Sequence, residues 1–317
     1  MTSEVRRGAV YGFGAYLLWG AFPLYFHLLR RAGAVEIVVH RILWSLLLCT
    51  VLVSGGLAWG GVRAALASRR TGGLLALAAS LIALNWGVYV YAVNSGHVVE
   101  ASLGYFANPF VTVLLGVVVL REKLRRWQWI AVGIGLVALG VLTVDYGRPP
   151  WIALVLAVSF ALYGLCKNRV GGAVGALTGL TVETLALAVP AVVALVALEA
   201  RGDGTFTENA PWQGLLLASA GAVTVAPLLL FAAAARRVPL TTIGLLQYLT
   251  PVLQLLCGVL VLGEHMPASR WAGFGLVWCA LAVLTADTMR AGARGRAARE
   301  AAVTGEAAGS EVPVTSK

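Results

Sequence analysis

The chain has 317 residues, of which 59% are hydrophobic and only 12% are charged, and its mean hydropathy is +0.84. Soluble proteins carry about 25% charged residues, so this composition excludes a water-soluble fold and predicts a membrane protein. The net charge of +10 does not indicate nucleic-acid binding, because the basic residues lie in short clusters between apolar segments. The four cysteines lie inside apolar segments without metal-ligand spacing, so no metal and no cofactor are predicted.

A bilayer-spanning helix needs about 20 mostly apolar residues, and the chain contains ten segments that approach or exceed this length. The first has aromatic residues where a signal peptide would have small ones, so we interpret it as an uncleaved helix. The predicted spans are 8–28, 37–59, 72–92, 101–120, 128–145, 150–167, 177–198, 212–235, 241–262 and 270–288. The remaining tail, 289–317, lacks aromatic residues and apolar periodicity, which predicts disorder.

The distribution of basic residues predicts the orientation. If the N-terminus is cytoplasmic, the inner segments hold 18 of the 24 lysine and arginine residues and the outer loops hold five. An excess of positive charge marks the cytoplasmic side. We therefore predict a multi-pass protein of the bacterial inner membrane with both termini in the cytoplasm.

An internal repeat relates the two halves, since residues 101–145 align without a gap with residues 243–287. The matched pairs include residues that apolar composition alone would not align: Pro109 with Pro251, Glu122 with Glu264, Trp129 with Trp271, and Asp145 with Asp287. Five spans per repeat is an odd number, so the second repeat must be inverted relative to the first. We predict an all-α membrane protein in which residues 8–145 and 150–288 form two inverted five-helix repeats, an architecture that permits alternating access.

Several segments resemble a known family. AYLLWGAFPLYF (15–26), HRILWS (40–45) and NWGVYVYAVNSGHVVEASLGYFANP (85–109) closely resemble the RarD group of the EamA family, in the drug/metabolite transporter (DMT) superfamily; GALTGLTVET (175–184) and QYLTP (247–251) fit as well. The resemblance implies ten helices, a cavity lined by spans 1, 3, 4, 6, 8 and 9, and transport of small metabolites or drugs. It also carries the label of a chloramphenicol-resistance permease.

Ionisable residues inside spans are costly and often functional. Glu183 is too deep for a short carboxylate to reach water, so we interpret it either as a coupling-proton or cation site or as a structural ion pair with Lys167. Arg41 aligns with Glu183 but lies near the outer end of its predicted span. Its long stem favours anchoring or loop pairing over substrate contact. His40 is either a packing residue or a ligand.

Polar and aromatic side chains share helix faces on several spans, where they are able to bind an uncharged or zwitterionic solute. The alternative is hydrogen bonding between helices. Trp19 and Tyr163 are aligned aromatics that are expected to close the site from the two halves. The candidate substrate-binding residues are Trp19, Asn85, Tyr89, Tyr105, Asn108, Tyr163, Gln247, Tyr248 and Gln254.

Pro109 and Pro251 occupy equivalent mid-span positions, which indicates paired helix breaks at a binding region or kinks that serve packing. The chain has no Walker motif and no hydrolase or metalloprotease motif, so neither ATP-driven transport nor an enzyme is predicted. We predict a secondary transporter that exports small metabolites or drugs. The alternative is a membrane sensor or assembly factor; proton coupling and a homodimer are left open.

Overall fold

The computed structural model of the protein describes residues 3–56, 58–121, 124–170, 174–206, 211–238 and 240–309. These residues form helices and connecting turns, with no β-strand among them. The helices are α1 (Ser3–Gly20), α2 (Phe22–Leu28), α3 (Ala34–Gly55), α4 (Trp59–Ala67), α5 (Arg69–Asn94), α6 (Val98–Leu120), α7 (Arg126–Tyr146), α8 (Trp151–Val170), α9 (Ala176–Arg201), α10 (Pro211–Ala235), α11 (Leu240–Leu246), α12 (Leu249–Leu256) and α13 (Ala268–Gly309).

The ten predicted membrane crossings are confirmed. Within the described part of the chain, nine crossings are long and apolar enough to span a bilayer by themselves, the first of them made by α1 and α2 together. The ninth predicted span is divided into α11, α12 and a π-helical turn at Cys257–Val261. It crosses as a broken helix rather than a continuous one.

Two segments differ from the sequence prediction. The connection after the second span contains a short helix, α4, where a turn was expected. The backbone of α13 continues to Gly309, whereas disorder was predicted from residue 289. Alanine and arginine, which dominate this stretch, have high helix propensity, so the loss of apolar character there does not end the helix. Residues 310–317 lie outside the described residues.

The helix contacts obey a pseudo-twofold relation that exchanges each span with the span five later. The contacts of α5 with α8 are mirrored by those of α10 with α1, and the contacts of α6 with α8 by those of α12 with α1. Three helices pack against their own counterparts: α3 on α9, α6 on α12, and α7 on α13. The fold is therefore two inverted five-helix repeats that share one extensive interface.

Carboxylates hold helix N-termini across this interface. Glu264 of the second repeat accepts hydrogen bonds from the backbone N–H groups of Val98 (2.5 Å) and Val99 (2.9 Å), the first residues of α6. Glu100 in turn accepts from the Ile152 N–H at the start of α8 (3.0 Å) and pairs with Arg148 (2.8 Å). These carboxylates satisfy donors that a helix start leaves free and complement its positive dipole end. Glu122, the repeat partner of Glu264, lies outside the described residues.

The antiparallel pair α7 and α13 carries an ion pair at each end. Asp145 binds Arg270 (2.8 Å) at one end, where Ser269 also donates to it. Asp287 binds Arg125 (2.6 Å) at the other end. The two aspartates are equivalent in the repeat, but their arginine partners are not, since Arg270 aligns with Gln128.

Candidate functional site

The first span is interrupted at Ala21. α1 ends at Gly20 and α2 begins at Phe22, with Pro23 in its first turn. Proline has no N–H, so Pro23 leaves the Trp19 carbonyl without its helical donor. The Leu24 N–H bonds to the Ala21 carbonyl (3.0 Å) and thereby leaves the Gly20 carbonyl free as well. This break was not predicted, although a proline inside an apolar span is itself the signal.

The second repeat supplies the missing donors. Gln254 of α12 donates from Nε2 to the Trp19 carbonyl (3.2 Å), and the Cys257 Sγ lies 3.9 Å from the Gly20 carbonyl. One turn earlier in α12, the Thr250 hydroxyl donates to the Tyr16 carbonyl (3.0 Å). The interrupted first span is therefore completed by the ninth, which is interrupted too.

The two aligned prolines do not form a matched pair of breaks. α6 continues without interruption through Pro109. Pro251 lies in the first turn of α12, directly after the break at Gln247 and Tyr248. A proline is tolerated in a first helical turn, where its missing N–H has no partner to lose. Pro251 therefore lies where a helix begins again, whereas Pro109 lies inside a continuous helix.

The break also separates two of the predicted binding residues. Gln247 is exposed, whereas Gln254 is buried, so they do not share the face that a continuous helix would give them. Tyr248, next to the break, hydrogen-bonds through its hydroxyl with Thr285 of α13 (3.3 Å). Of these three residues, Gln254 is the one that the structure brings to the interface between the repeats.

Asn85 and Tyr105 belong to a network between helices. The Asn85 amide donates to the Leu156 carbonyl and to the Ser159 hydroxyl (both 3.0 Å), and its oxygen accepts from the Tyr105 hydroxyl (3.2 Å). These bonds join α5, α6 and α8. The geometry supports the packing interpretation for Asn85, because every polar atom of its side chain has a partner.

Three other predicted residues have buried polar atoms that find no partner within the described residues. They are the Tyr89 hydroxyl and the side-chain oxygens of Asn108 and Gln254. An unpaired buried polar atom costs about 1–3 kcal/mol, so such atoms mark places where a solute or water is expected to bind. Trp19 and Tyr163 are partly buried; Trp19 packs on Tyr16 and Phe231, with ring centroids 5.4 and 5.8 Å away.

Arg41 is buried and does not reach an interface, so its interpretation as an anchor is wrong. Its side chain is 4% exposed, and Nε donates to the Thr224 hydroxyl of α10 (2.8 Å). α3 begins at Ala34, three residues earlier than predicted. Arg41 therefore lies about 10 Å into the helix at ~1.5 Å per residue, too far inside for the snorkelling that was expected.

His40 beside it packs under the loop between α9 and α10. Its ring stacks on Phe206 with centroids 4.6 Å apart, and its Nδ1 accepts from the Trp44 indole N–H (3.2 Å). Nε2 is buried without a partner among the described residues.

Glu183 forms the ion pair that the sequence suggested. Lys167 Nζ lies 2.6 Å from Glu183 Oε1, and the Tyr163 hydroxyl donates to Oε2 (3.3 Å). Glu183 is 2% exposed, while the Lys167 side chain is 31% exposed. The carboxylate is thus buried, and its partner connects it with more accessible space.

An inverted-repeat bundle with broken helices and orphaned polar groups at the repeat interface has the architecture of a membrane transporter. Comparison with known proteins agrees with this assignment to a class. A model of the EamA-like transporter family matches residues 6–144 and 149–286. The chain therefore belongs to the EamA-like transporter family, in its RarD group, and is a multi-pass membrane transporter.

Relatives from several bacteria are similar over nearly their whole length. Protein RarD of Streptomyces exfoliatus is 52% identical, covering 95% of each chain, and protein RarD of Escherichia coli is 39% identical, covering 91% of this chain and 97% of the relative. Chloramphenicol-sensitive protein RarD of Pseudomonas aeruginosa is 33% identical over 90% of this chain and 95% of the relative. A solved crystal structure with 19% identity has the same fold, with a TM-score of 0.52 over 87% of this chain and 96% of the other.

Proposed function

We propose that the protein exports small amphipathic metabolites or drugs across the inner membrane by alternating access, with both termini in the cytoplasm. The contact between Gln254 and the Trp19 carbonyl carries this proposal. It joins two interrupted helices, one from each inverted repeat, and broken helices of that kind form the substrate sites of secondary transporters. A movement of one repeat against the other exchanges this hydrogen bond for one to solute or water.

Tyr89, Asn108 and Gln254 carry polar atoms with no partner among the described residues, and these atoms support a solute site at this interface. The name of the Pseudomonas aeruginosa relative makes chloramphenicol a reasonable first test solute. Glu183 is our candidate for proton coupling, because it is buried yet paired with a partly exposed lysine.

The proposal is tested by solute flux in everted membrane vesicles and in proteoliposomes, with and without an imposed pH gradient. A panel of chloramphenicol and other small amphipathic solutes is compared with protein-free liposomes. We expect at least one solute to accumulate in everted vesicles, faster when the lumen is acidic. Absence of protein-dependent flux in both directions for the whole panel contradicts a transport function, and uptake into right-side-out vesicles alone contradicts export.

A further inference from the structure

Arg41 is a buried cation that has no acidic partner within the described part of the chain. Its guanidinium forms no ion pair with any carboxylate of the described residues, all of whose ion pairs involve other cations. Only Nε donates to a protein acceptor within that part of the chain, the Thr224 hydroxyl. A buried cation in a membrane protein is costly and persists where it pairs or binds something.

Aromatic rings hold this guanidinium in place. Its Cζ lies 4.0 Å from the centroid of Trp86, 5.4 Å from that of Phe22 and 5.5 Å from that of Phe26. Cation–π contacts stabilise a charged guanidinium without neutralising it. The charge is therefore retained inside the protein, and the terminal N–H groups have no acceptor among the described residues.

The surroundings add a second unsatisfied group. Tyr89 packs on Phe26 (centroids 6.0 Å apart) and on Tyr105 (5.7 Å). Arg41 and Tyr89 thus contact the same ring, since the Arg41 Cζ lies 5.5 Å from the Phe26 centroid. The Tyr89 hydroxyl is buried and has no partner among the described residues. A guanidinium fork and a phenol beside apolar rings fit a planar carboxylate attached to an aromatic body.

We propose that Arg41 is the anion-recognising residue of the substrate site, and that the transported solutes include small aromatic carboxylates. The two free guanidinium nitrogens bind the carboxylate oxygens, the Tyr89 hydroxyl donates a further hydrogen bond, and Phe22, Phe26 and Trp86 contact the ring. This inference rests on the proposed transport function and names a solute class for it. It departs from the uncharged or zwitterionic solutes that the sequence alone indicated.

The test compares an ionised acid with its neutral isostere on the purified full-length protein in detergent. The probes are benzoate and benzamide at alkaline pH, and binding is measured by the shift of the thermal midpoint. We expect benzoate to bind about tenfold or more tightly than benzamide, because charged hydrogen bonds are the stronger ones. The preference should disappear in Arg41→Gln and persist in Arg30→Gln, which removes one positive charge at an exposed position. Equal binding of the two probes by the wild type, or an unchanged preference in Arg41→Gln, overturns the proposal.

A second measurement does not depend on the folding of the Arg41 variant. Photolabelling of the wild type with 4-azidobenzoate should modify the peptides that contain Phe22, Phe26 or Trp86, and benzoate should protect them better than benzamide. Labelling only outside these peptides overturns the site. Flux assays separate the two proposals. Transport of neutral solutes without a preference for carboxylates contradicts this inference but not the transport function. Carboxylate binding at Arg41 without any flux contradicts the transport function but not the binding site.

Discussion

Asp145 and Asp287 stand at equivalent positions of the two repeats, and each binds an arginine of the opposite repeat. The Asp145 pair is the more buried: the Arg270 side chain is 18% exposed, against 47% for Arg125. Arg270 also lies over the ring of Tyr146, 4.2 Å from its centroid. The α7–α13 pair thus has an ion pair at both ends, and we expect it to be a static support for the helices that line the interface.

The first prediction concerns this support. Asp145→Asn should lower the free energy of unfolding by about 1–3 kcal/mol, because it leaves a largely buried guanidinium without its acid. Asp287→Asn should cost less, since Arg125 is half exposed and able to turn to solvent. Thermal midpoints in detergent give the comparison. Flux per folded molecule should stay near the wild-type value in both variants; selective loss of flux in either one contradicts a static role.

The second prediction concerns the interrupted first span. Gln254→Leu should destabilise the protein by about 1–3 kcal/mol, because the Trp19 carbonyl then lacks a donor. Pro23→Ala restores an N–H at that place, so it should recover most of the stability in the double variant. It should also slow transport by making the span continuous. A double-mutant cycle of thermal midpoints measures the coupling, and strict additivity of the two changes rules out this relationship.

Glu183 provides a third prediction, which separates proton coupling from structural pairing. If the carboxyl carries the coupling proton, Glu183→Gln keeps folding and solute binding but abolishes acceleration of flux by a pH gradient. Exchanging the two residues, as Glu183→Lys with Lys167→Glu, should preserve folding but not coupling. Full gradient-driven flux in Glu183→Gln ends the coupling proposal.

The fourth prediction separates packing residues from solute-binding residues. Asn85→Ala removes three hydrogen bonds that join α5, α6 and α8, so it should lower the thermal midpoint. Tyr89→Phe and Asn108→Ala remove polar atoms without a described protein partner, so they should weaken solute binding and leave the midpoint nearly unchanged. Measured on the same preparations, the opposite pattern shows that the solute lies elsewhere.

The fifth prediction concerns orientation. In a cysteine-free background, single cysteines at Pro149 and Asp203 should react with an impermeant thiol reagent applied to intact cells, and one at Arg126 should not. All three positions are exposed. Gly147 and Gly202 are less suitable, because their positive φ angles of 63° and 73° strain any other residue. Labelling at Arg126 from outside reverses the proposed orientation.

The sequence was sufficient to predict the ten crossings, the two repeats and the family, because apolar length and the aligned residues determine them directly. It did not predict which polar residues face each other. Asn85 and Tyr105 each lie on a face suited to a cavity, and yet they bond to one another, since the partner of a side chain depends on how helices pack. The depth of Arg41 was misjudged for a simpler reason: placing the start of α3 three residues too late moved the arginine towards the surface.

Arg41 and Glu183 lie at the same distance from the starts of two equivalent helices. α3 begins at Ala34 and α9 at Ala176, and Arg41 and Glu183 follow at the same interval. The two ionisable residues therefore enter the bundle to the same depth from opposite faces. Glu183 pairs with Lys167, whereas Arg41 forms no ion pair with a carboxylate of the described residues. The charge symmetry of the repeats is therefore broken at this site.

Glu264 belongs to the second repeat, but its carboxylate binds the start of α6 in the first repeat. Gln254 of the second repeat likewise binds the Trp19 carbonyl in the first span. A gene divided in the connection between α7 and α8 should therefore yield two fragments that are degraded when each is produced by itself. Produced together, they should protect one another from proteolysis, as the subunits of an obligate heterodimer do.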